Sequence, residues 1–323
     1  MSINLQETPF RKEALPVIYI HKLCKKFRDT VAVHNLHLEV QEGELFCLAG
    51  PDGAGKTTTV RLILGLIDPE EGEVYINGRS IRGKRDAVIK NIGYVPQKFS
   101  LYEDLTVKEN LKFFGRLYNL RESDRKEKEN ELLEFAGLQS SHDRLARNLS
   151  GGMKQKLSLI CTLIHNPGII FLDEPTSGLD PLSRRDFWAL LHHLLDRKVT
   201  IFLTTSRMEE ADYCHRMALM DRGSILMCDS PSQIKSTHSH EIIEVTAEPV
   251  RKAKEILSRA ADIQRIEFFG DRLHITLAKD RLGIQSIREI LENEKIKVEK
   301  LRKITPGLED IFLSLSRGEP HAG

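Results

Sequence analysis

The sequence predicts an α/β domain over most of its length, followed by a smaller α+β domain. The first observation is a glycine-rich segment, residues 50–58, that lies between an apolar run at 45–49 and a helix-spaced apolar pattern. The second is a continuous apolar run at 168–172, typical of a parallel strand buried on both faces. The third is a new succession of strands and helices that begins at residue 241. These features predict a mixed-sheet core with a separate C-terminal domain.

The glycine-rich segment fits the phosphate-binding pattern G-x-x-x-x-G-K-[ST]. It consists of Gly50, Pro51, Asp52, Gly53, Ala54, Gly55, Lys56, Thr57 and Thr58. Glycine lets the backbone wrap a polyphosphate without Cβ clashes, and the following helix directs its positive dipole end at the same anion. Lys56 adds a positive charge for the β- and γ-phosphates, and the Thr57 hydroxyl is placed to bind Mg²⁺. A glycine turn that only caps a strand would explain the glycines but not Lys56 and Thr57.

Composition limits the classes of function. The 48 basic and 47 acidic side chains nearly cancel, so overall charge does not favour nucleic acid or an anionic membrane surface as main partner. The five cysteines lack C-x-x-C spacing, which predicts reduced thiols of a cytosolic protein and neither a disulfide framework nor a metal site. Residues 1–16 have no apolar signal region and are predicted to form a short tail. No apolar run approaches the ~18 residues of a membrane span, so any membrane role must come through a partner.

The sequence predicts strands before the glycine-rich loop, and a further strand and a helical segment after it. Two strands precede it, joined by a turn at residues 25–31. Phe27 lies in this turn, where it is either a core aromatic or an exposed ring that stacks on adenine. A later short strand ends at Gln97, and the charged helical pattern after it predicts a helical subdomain at about residues 98–165.

A second candidate anion site starts the last helix of this subdomain. Ser150, Gly151 and Gly152 offer a hydroxyl and unhindered backbone N–H groups at the positive end of a helix that stops at Pro167. An ordinary serine N-cap followed by flexible glycines is the alternative interpretation. On this segment alone, both interpretations stand.

Two carboxylates follow the apolar run at 168–172. Asp173 and Glu174 are predicted at the carboxyl tip of a buried strand, where open α/β sheets bind their ligands. Asp173 suits a Mg²⁺ shell, and Glu174 can accept a hydrogen bond from an attacking water. A solvated strand end is the alternative. Another buried strand, residues 199–203, ends close to Ser206.

The rest of the chain forms a closing hairpin and the C-terminal domain. The polar stretch at 236–240 is predicted to be a linker, and its His238 and His240 are predicted to be exposed loop residues, not metal ligands. The domain at 241–323 has the order βαββαβ and a final helix. This order predicts a small α+β, ferredoxin-like fold, and the domain carries no recognisable catalytic cluster.

With these motifs in place, residues 17–234 resemble the ATP-binding subunit of an ABC transporter. The motifs that match in order and spacing are Walker A at 50–58, the Q-loop glutamine Gln97, the signature at 149–155 with Met153 at the usual glutamine, Walker B with its glutamate at 169–174, and the D-loop at 177–180. Phe27 falls where the family places its adenine-stacking aromatic. The separate C-terminal domain is most similar to the subfamily that works with ABC-2 type permeases, often exporters of drugs or other hydrophobic compounds.

The resemblance implies a P-loop NTPase of the ABC type at residues 17–235, with ATP and Mg²⁺ as cofactors. Two such domains close head to tail, as a homodimer or as a heterodimer with another ABC ATPase, and each ATP lies between the Walker motifs of one and the signature of the other. The implied nucleotide-binding residues are Phe27, the 50–58 loop, Ser150, Gly151, Gly152 and Asp180, and the implied metal-binding residues are Thr57, Gln97 and Asp173. The implied catalytic residues are Glu174, which polarises the attacking water, Gln97 and Ser206. The chain would lie on the cytosolic face of the inner or plasma membrane, bound to an integral membrane permease.

Two residues depart from the family pattern. Members normally have histidine where this chain has Ser206, and asparagine where it has Asp52. A serine hydroxyl donates a hydrogen bond but cannot carry positive charge toward the transferring phosphoryl group. Loss of one such donor typically lowers the rate ~10²–10³-fold, so we expect normal ATP binding and slow hydrolysis.

The alternative function is that of a nucleotide-gated, weakly hydrolysing regulatory subunit or heterodimer partner. A soluble ABC protein that acts on ribosomes or DNA is disfavoured, because such proteins usually carry two nucleotide domains or a long coiled coil.

Overall fold

The structure is a computed structural model of the chain that describes residues 15–82, 85–237, 242–260, 263–277 and 283–316. The chain divides into two compact units, Met1–Pro231 and Ser232–Gly323. Most of the predicted tail and both linker histidines, His238 and His240, lie outside the described residues. The predicted domain boundaries therefore stay predictions. Within the described ranges, none of the helices has the length and apolar character needed to cross a membrane.

The first unit alternates strands with helices. Its strands are β1 (Ile18–Phe27), β2 (Thr30–Val40), β3 (Leu45–Ala49), β4 (Glu71–Ile76), β5 (Arg79–Ser80), β6 (Ile92–Val95), β7 (Ile169–Asp173), β8 (Thr200–Thr205), β9 (Arg216–Asp221) and β10 (Ser224–Asp229). Its helices are α1 (Lys56–Ile63), α2 (Arg85–Ile89), α3 (Val107–Leu117), α4 (Glu122–Ala136), α5 (Gly151–Leu163), α6 (Pro181–Asp196) and α7 (Met208–Ala211), and α8 (Pro231–Thr237) begins at its last residue. The helical pattern that follows Gln97 forms α3, α4 and α5.

The central sheet has six strands in the order β10-β9-β3-β8-β7-β6. β9, β3, β8, β7 and β6 run parallel, and β10 pairs antiparallel with β9 at one edge. The residues of β3, β7 and β8 are all buried, as their continuous apolar runs predicted. The register places Asp173 beside Thr204 and Ala49 beside Thr205, so the loops after these three strands meet at one edge. The predicted α/β fold with a mixed sheet is confirmed.

A second, antiparallel sheet with the order β2-β1-β4-β5 shares a core cluster with Val60 of α1. The sequence predicted strands here but did not separate them from the central sheet. The predicted turn at 25–31 is wrong, because β1 continues to Phe27 and pairs it with Thr30. Arg28 adopts a left-handed backbone conformation with φ 50°, which lets the chain reverse within two residues.

Polar contacts fix the entry to α3. The Thr106 hydroxyl accepts a hydrogen bond from the Glu109 N–H at 3.1 Å, and the Glu109 carboxylate accepts one from the Thr106 N–H at 2.8 Å. This reciprocal capping box satisfies two N–H groups at the helix start. Asn110 is fully buried; its amide donates to the carbonyl oxygens of Tyr102 and Thr106, both at 3.0 Å, and accepts from the Tyr102 N–H at 3.1 Å. These bonds hold the segment between Gln97 and α3 against the helix.

The second unit is a four-stranded sheet with helices. Its elements are β11 (Ile242–Glu248), α9 (Val250–Leu257), β12 (Ile263–Phe269), β13 (Arg272–Leu277), α10 (Ile284–Asn293), β14 (Lys297–Ile304) and α11 (Leu308–Ser316). The strand order is β12-β13-β11-β14, with all neighbours antiparallel. This is the order of a ferredoxin-like βαββαβ fold with an added helix, as the sequence predicted. Its core includes Val245, Leu257, Leu273, Ile287 and Leu291.

Candidate nucleotide-binding and catalytic site

The glycine-rich loop joins the end of β3 to the start of α1. A side chain at Gly50 would overlap the carbonyl oxygen of Met220, and one at Gly55 would overlap the carbonyl oxygen of Ala32. Gly55 also has φ 108°, a conformation that other residues rarely adopt. Glycine at these two positions therefore lets the loop pass close to the neighbouring backbone.

Lys56 is the first residue of α1 and is buried, with 4% of its surface exposed. Its ammonium group donates to the carbonyl oxygens of Gly50 at 2.8 Å and Pro51 at 2.9 Å. It also lies 3.0 Å from the Glu174 carboxylate. The cation is thus held across the loop and next to the end of β7. A cation, a glycine loop and a helix N-terminus together form a donor set that fits a polyphosphate.

Asp173 and Thr57 provide oxygens for a metal ion. The Thr57 hydroxyl donates to Asp173 Oδ1 at 3.1 Å, and the Thr204 hydroxyl donates to the same oxygen at 2.6 Å. Asp173 is 1% exposed, and its negative charge, second to burial, raises the pKa of Tyr94 on β6. Mg²⁺ in nucleotide sites usually takes one or two protein oxygens and completes its shell with phosphates and water. The Thr57 and Asp173 pair fits that requirement.

Glu174 follows β7 in a left-handed backbone conformation with φ 47°. Its N–H donates to the carbonyl oxygen of Thr204 at 3.1 Å and lies 3.0 Å from the Thr204 hydroxyl. Its carboxylate contacts Lys56 through one oxygen and accepts a hydrogen bond from the Gln97 amide at 3.1 Å through the other. Such a backbone conformation costs on the order of 1–3 kcal/mol in a residue with a side chain and is typical of functional sites. The structure therefore brings together Lys56, Gln97 and Glu174, while the roles that the family resemblance implies for them stay predictions.

The signature residues lie at the start of α5. The Ser150 hydroxyl accepts a hydrogen bond from the Met153 N–H at 3.3 Å, which is an ordinary N-cap. Gly152 is buried, and a side chain there would press against Ser183 of α6. Ser150 and Gly151 are exposed. In the part of the chain that the structure describes, no hydrogen bond or ion pair joins these residues to Lys56 or Glu174, so their phosphate-binding role stays a prediction.

Asp180 caps the start of α6. Its carboxylate accepts hydrogen bonds from the N–H groups of Leu182 and Ser183, both at 3.0 Å. Hydrogen bonds from the Ser183 side chain and then from backbone N–H groups hold the pKa of Asp180 below its usual range. A charged, exposed carboxylate is thus fixed at the end of the predicted D-loop.

Ser206 follows β8 and lines a small cavity of about 100 Å³ together with Glu174. The other lining residues are Thr176, Ser177, Gly178, Thr205 and Arg207. Ser206 is exposed, so its hydroxyl is accessible from this cavity. Ser206 thus shares this cavity with Glu174, and the role in hydrolysis that the family resemblance implies for it stays a prediction.

Phe27 ends β1, and its side chain is 48% exposed. The interpretation of Phe27 as a core aromatic is therefore wrong, because the hairpin directs the ring to solvent. The Lys25 ammonium lies 5.4 Å from the ring centroid, within cation–π range. Stacking on adenine stays a prediction.

Two residues of this region could not be identified from the sequence. Thr204 binds both Asp173 and the Glu174 N–H, and Glu210 of α7 is 1% exposed beneath the same loops. The strand pairing of Asp173 with Thr204 explains the first, but only the assembled sheet reveals that pairing. Glu210 stands beside an exposed Glu209 in a short polar segment, and no local pattern distinguishes the two.

Comparisons with known proteins agree with this geometry. A sequence model described as ABC transporter matches residues 33–177. The probable multidrug ABC transporter ATP-binding protein YbhF of Escherichia coli (strain K12) is 40% identical over 225 residues, which cover 70% of this chain and 39% of that relative. The chain thus spans well under half the length of that relative. The Nod factor export ATP-binding protein I of Cupriavidus metallidurans is 36% identical over 305 residues, covering 94% of this chain and 98% of the relative.

Two solved structures support the same assignment. An ATP-binding subunit of an ABC transporter superposes with a TM-score of 0.62 at 27% identity, over 68% of this chain and 92% of its own. The ATP-binding cassette MJ0796, in a dimeric post-hydrolysis state bound to ADP and Pi, gives a TM-score of 0.60 at 28% identity, over 66% and 98%. The chain therefore belongs to the ABC transporter family, as an ATP-binding domain followed in the chain by a C-terminal α+β unit.

Proposed function

We propose that the chain is the ATP-binding subunit of an exporter and that it binds and hydrolyses Mg-ATP to drive transport through a separate integral membrane permease. The observation that carries this proposal is the buried Glu174 carboxylate, held between Lys56 and Gln97 at the end of β7. Export is supported by the names of two relatives, which give multidrug transport and Nod factor export. Through its permease, the chain would lie on the cytosolic face of the membrane.

Each residue has a separate role in the proposed hydrolysis. Lys56 and the loop backbone bind the β- and γ-phosphates. Thr57 and Asp173 would hold Mg²⁺, which when bound neutralises charge on the phosphate oxygens. The Glu174 carboxylate accepts a hydrogen bond from the attacking water and orients it, and the Gln97 amide keeps that carboxylate in place.

The proposal includes a head-to-tail dimer with a second copy or with another ABC ATPase. Ser150 and Gly151 are exposed at the N-terminus of α5, and Asp180 is exposed at the N-terminus of α6. In the dimer, Ser150 and Gly152 bind the γ-phosphate of the nucleotide held by the partner's Walker loop. Support comes from the relative MJ0796, which forms a dimer.

We further propose that hydrolysis is slow because Ser206 stands where the family has histidine. The Ser206 hydroxyl shares the Glu174 cavity but carries no positive charge at any working pH. A nucleotide-gated partner with little turnover is the second candidate function, favoured by Ser206 and disfavoured by the ordered Glu174.

The proposal is tested by the steady-state Mg-ATPase rate of the purified chain beside two variants, with ATP affinity measured on each. We expect Glu174→Gln to bind ATP and to lose at least about 100-fold in kcat, since it removes the general base. We expect Ser206→His to raise kcat by about tenfold or more, since it adds a donor that can carry charge.

Three outcomes separate the candidates. A parent that binds ATP without turnover and gains turnover through Ser206→His is a nucleotide-gated partner. A Ser206→His variant no faster than the parent contradicts the slow-hydrolysis argument. Co-purification of the chain with a polytopic membrane protein supports the permease, whereas co-purification with ribosomes contradicts it.

A further inference from the structure

Glu210, in the short helix α7, is a buried carboxylate that none of the proposed steps uses. Its side chain is 1% exposed. One carboxylate oxygen accepts a hydrogen bond from the Thr176 hydroxyl at 2.6 Å, and the other accepts one from the Thr205 hydroxyl at 2.9 Å. Thr176 lies two residues after Glu174, and Thr205 directly precedes Ser206. Glu210 therefore joins the two chain segments that carry the proposed catalytic side chains.

Two arginines balance the charge of Glu210. The Nε atoms of Arg184 and Arg207 lie 3.6 Å and 3.7 Å from its Oε1 atom. Arg184 belongs to α6, and its guanidinium donates to the carbonyl oxygen of Leu179 at 3.0 Å, immediately before Asp180. A buried carboxylate is tolerated only when it is paired and hydrogen-bonded, so these contacts act as one unit. This group of contacts extends from the segment just after Glu174 through the D-loop to the residue before Ser206.

The hydrogen bonds of Glu210 help to hold the strained backbone conformation of Glu174. The backbone of Glu174 is left-handed, with φ 47°, and persists only if the surrounding structure holds it. The Thr176 bond to Glu210 fixes the chain just after this residue, and the Thr205 hydroxyl also accepts a hydrogen bond from the Arg207 N–H at 3.0 Å. The carboxylate thus sets the directions of both hydroxyl groups and the spacing between the two segments.

Different contacts hold the nucleotide-binding side of the site. Lys56 is bound by the carbonyl oxygens of Gly50 and Pro51, and Asp173 is bound by the Thr57 and Thr204 hydroxyls. Loss of Glu210 would therefore leave phosphate and metal binding intact. It would release the segments that align the general base.

We propose that Glu210 is a positioning residue for hydrolysis: it holds Glu174, Ser206 and the D-loop in register, and acts on turnover rather than on ATP binding. This inference rests on the proposed ATPase function. Residues that fix catalytic groups through a second layer of hydrogen bonds typically contribute about 10–100-fold to activity when measured in metal sites.

Glu209 provides a matched control for Glu210. It is the adjacent residue, has the same charge and contacts the same arginines, at 3.9 Å from Arg184 and 3.2 Å from Arg207. Its side chain is 68% exposed. Substitution of Glu209 removes an equal charge from the same helix without touching the hydroxyl groups, so it separates the effect of charge from that of positioning.

The test measures kcat, KM and the ATP dissociation constant of the full-length chain, Glu210→Gln and Glu209→Gln. We expect Glu210→Gln to lower kcat by about tenfold or more and to leave the ATP dissociation constant within about twofold, a split that a general loss of folding would not give. Glu209→Gln should leave kcat within about twofold. The emission of Trp188, the one tryptophan of the sequence, reports whether each variant keeps its fold, because its ring packs 5.1 Å from that of Tyr213 just after α7.

A second pair of variants keeps the proposal testable if Glu210→Gln does not fold. Thr205→Val removes one hydroxyl bond to Glu210 and should lower kcat, whereas Thr205→Ser retains the hydroxyl and should restore it. Where all variants fold, combining Thr205→Val with Glu210→Gln should lower kcat no further than Glu210→Gln alone, since both act through one unit.

Two results overturn the inference alone, with the parent hydrolysing ATP. One is a kcat for Glu210→Gln equal to that of Glu209→Gln, and the other is a loss of ATP affinity in step with kcat. A parent that binds Mg-ATP but does not hydrolyse it overturns the proposed function, and the inference with it.

Discussion

Gly53 and Gly55 lie two residues apart in the phosphate-binding loop, and they are glycine for different reasons. Both have positive φ angles, 80° and 108°. A side chain at Gly53 would meet no atom within 4 Å, whereas one at Gly55 would overlap the carbonyl oxygen of Ala32. At Gly53 only the backbone conformation resists substitution, and at Gly55 a close approach of two segments is added.

We therefore expect Gly55→Ala to cost more than Gly53→Ala. The Gly53→Ala change should destabilise the first unit by about 1 kcal/mol, from backbone strain alone. Gly55→Ala should cost about 3 kcal/mol or more and weaken ATP binding, because the loop must move away from Ala32. Urea unfolding and ATP titration of both variants check this order. Equal losses at the two positions would contradict the steric argument.

The residues that could be predicted from the sequence are those whose role follows from local spacing. Lys56, Thr57, Asp173 and Glu174 belong to short motifs attached to a recognisable strand or helix, and the structure brings them together. Glu210 could not be predicted, because its partners are 34 and 5 residues away and meet it only after the sheet has assembled. A local sequence pattern therefore identifies residues that contact a ligand more readily than residues that position those contacting residues.

Among the elements, α3 shows how one buried polar side chain can hold a whole segment. Asn110 is fully buried, and its amide binds the carbonyl oxygens of Tyr102 and Thr106 and the N–H of Tyr102. Asn110→Leu keeps the size of the side chain but leaves these backbone groups buried without partners. We expect it to destabilise the first unit by about 2–3 kcal/mol.

Thr106→Ala is the matched comparison for Asn110→Leu, since it removes the cap of the Glu109 N–H at the same helix end but leaves that N–H where water can reach it. Its expected cost is about 1 kcal/mol. Denaturant unfolding of both variants, followed by far-ultraviolet circular dichroism, gives the two free energies. A larger loss for Thr106→Ala would show that capping, not the buried amide, fixes this segment.

Helices and buried strands were predicted well because their apolar periodicity is local. The pairing of strands was not predicted, because the alternation of apolar and polar residues along β1, β2 and β4 does not indicate which sheet these strands join. The turn at 25–31 was predicted too long for a related reason: a left-handed arginine gives no glycine or asparagine signal that would locate the turn at Arg28. In the C-terminal unit the order of elements alone implied the sheet order, because few arrangements satisfy βαββαβ.

At the scale of the whole molecule, each of the two compact units has its own hydrophobic core. Separate cores predict two unfolding transitions in calorimetry. In the proposed function Mg-ATP binds only the first unit, so it should raise the midpoint temperature of only one transition. At a concentration of 100 times its dissociation constant, the nucleotide should stabilise that unit by about 2.7 kcal/mol. That shift assigns the other transition to the C-terminal unit. The assignment makes the acid stability of the C-terminal unit measurable in the intact chain.

Glu244, in the middle of β11, makes the C-terminal unit sensitive to acid. Its carboxylate is 5% exposed and accepts hydrogen bonds from Arg302 at 2.7 Å and Arg272 at 3.1 Å. The Arg302 bond and then the Arg272 bond outweigh burial and lower the pKa of Glu244 to about 2. In the unfolded chain the pKa of a glutamate is about 4.3, so the folded state favours the ionised form. The stabilisation is therefore complete above about pH 5 and is lost as the pH falls from about 4.3 toward 2.

We expect Glu244→Gln to destabilise the C-terminal unit by on the order of 1–2 kcal/mol at pH 7, an amount reduced by solvent because both arginines are about half exposed. Between pH 5 and pH 2 the midpoint temperature of the parent's C-terminal transition should fall toward that of the variant, since protonation of Glu244 removes the same charge. Glu299→Gln on β14 is the control, because its ion pair with Lys297 is exposed and should contribute little. A constant difference between parent and Glu244→Gln from pH 7 to pH 2 would show that shape, and not charge, is what Glu244 contributes.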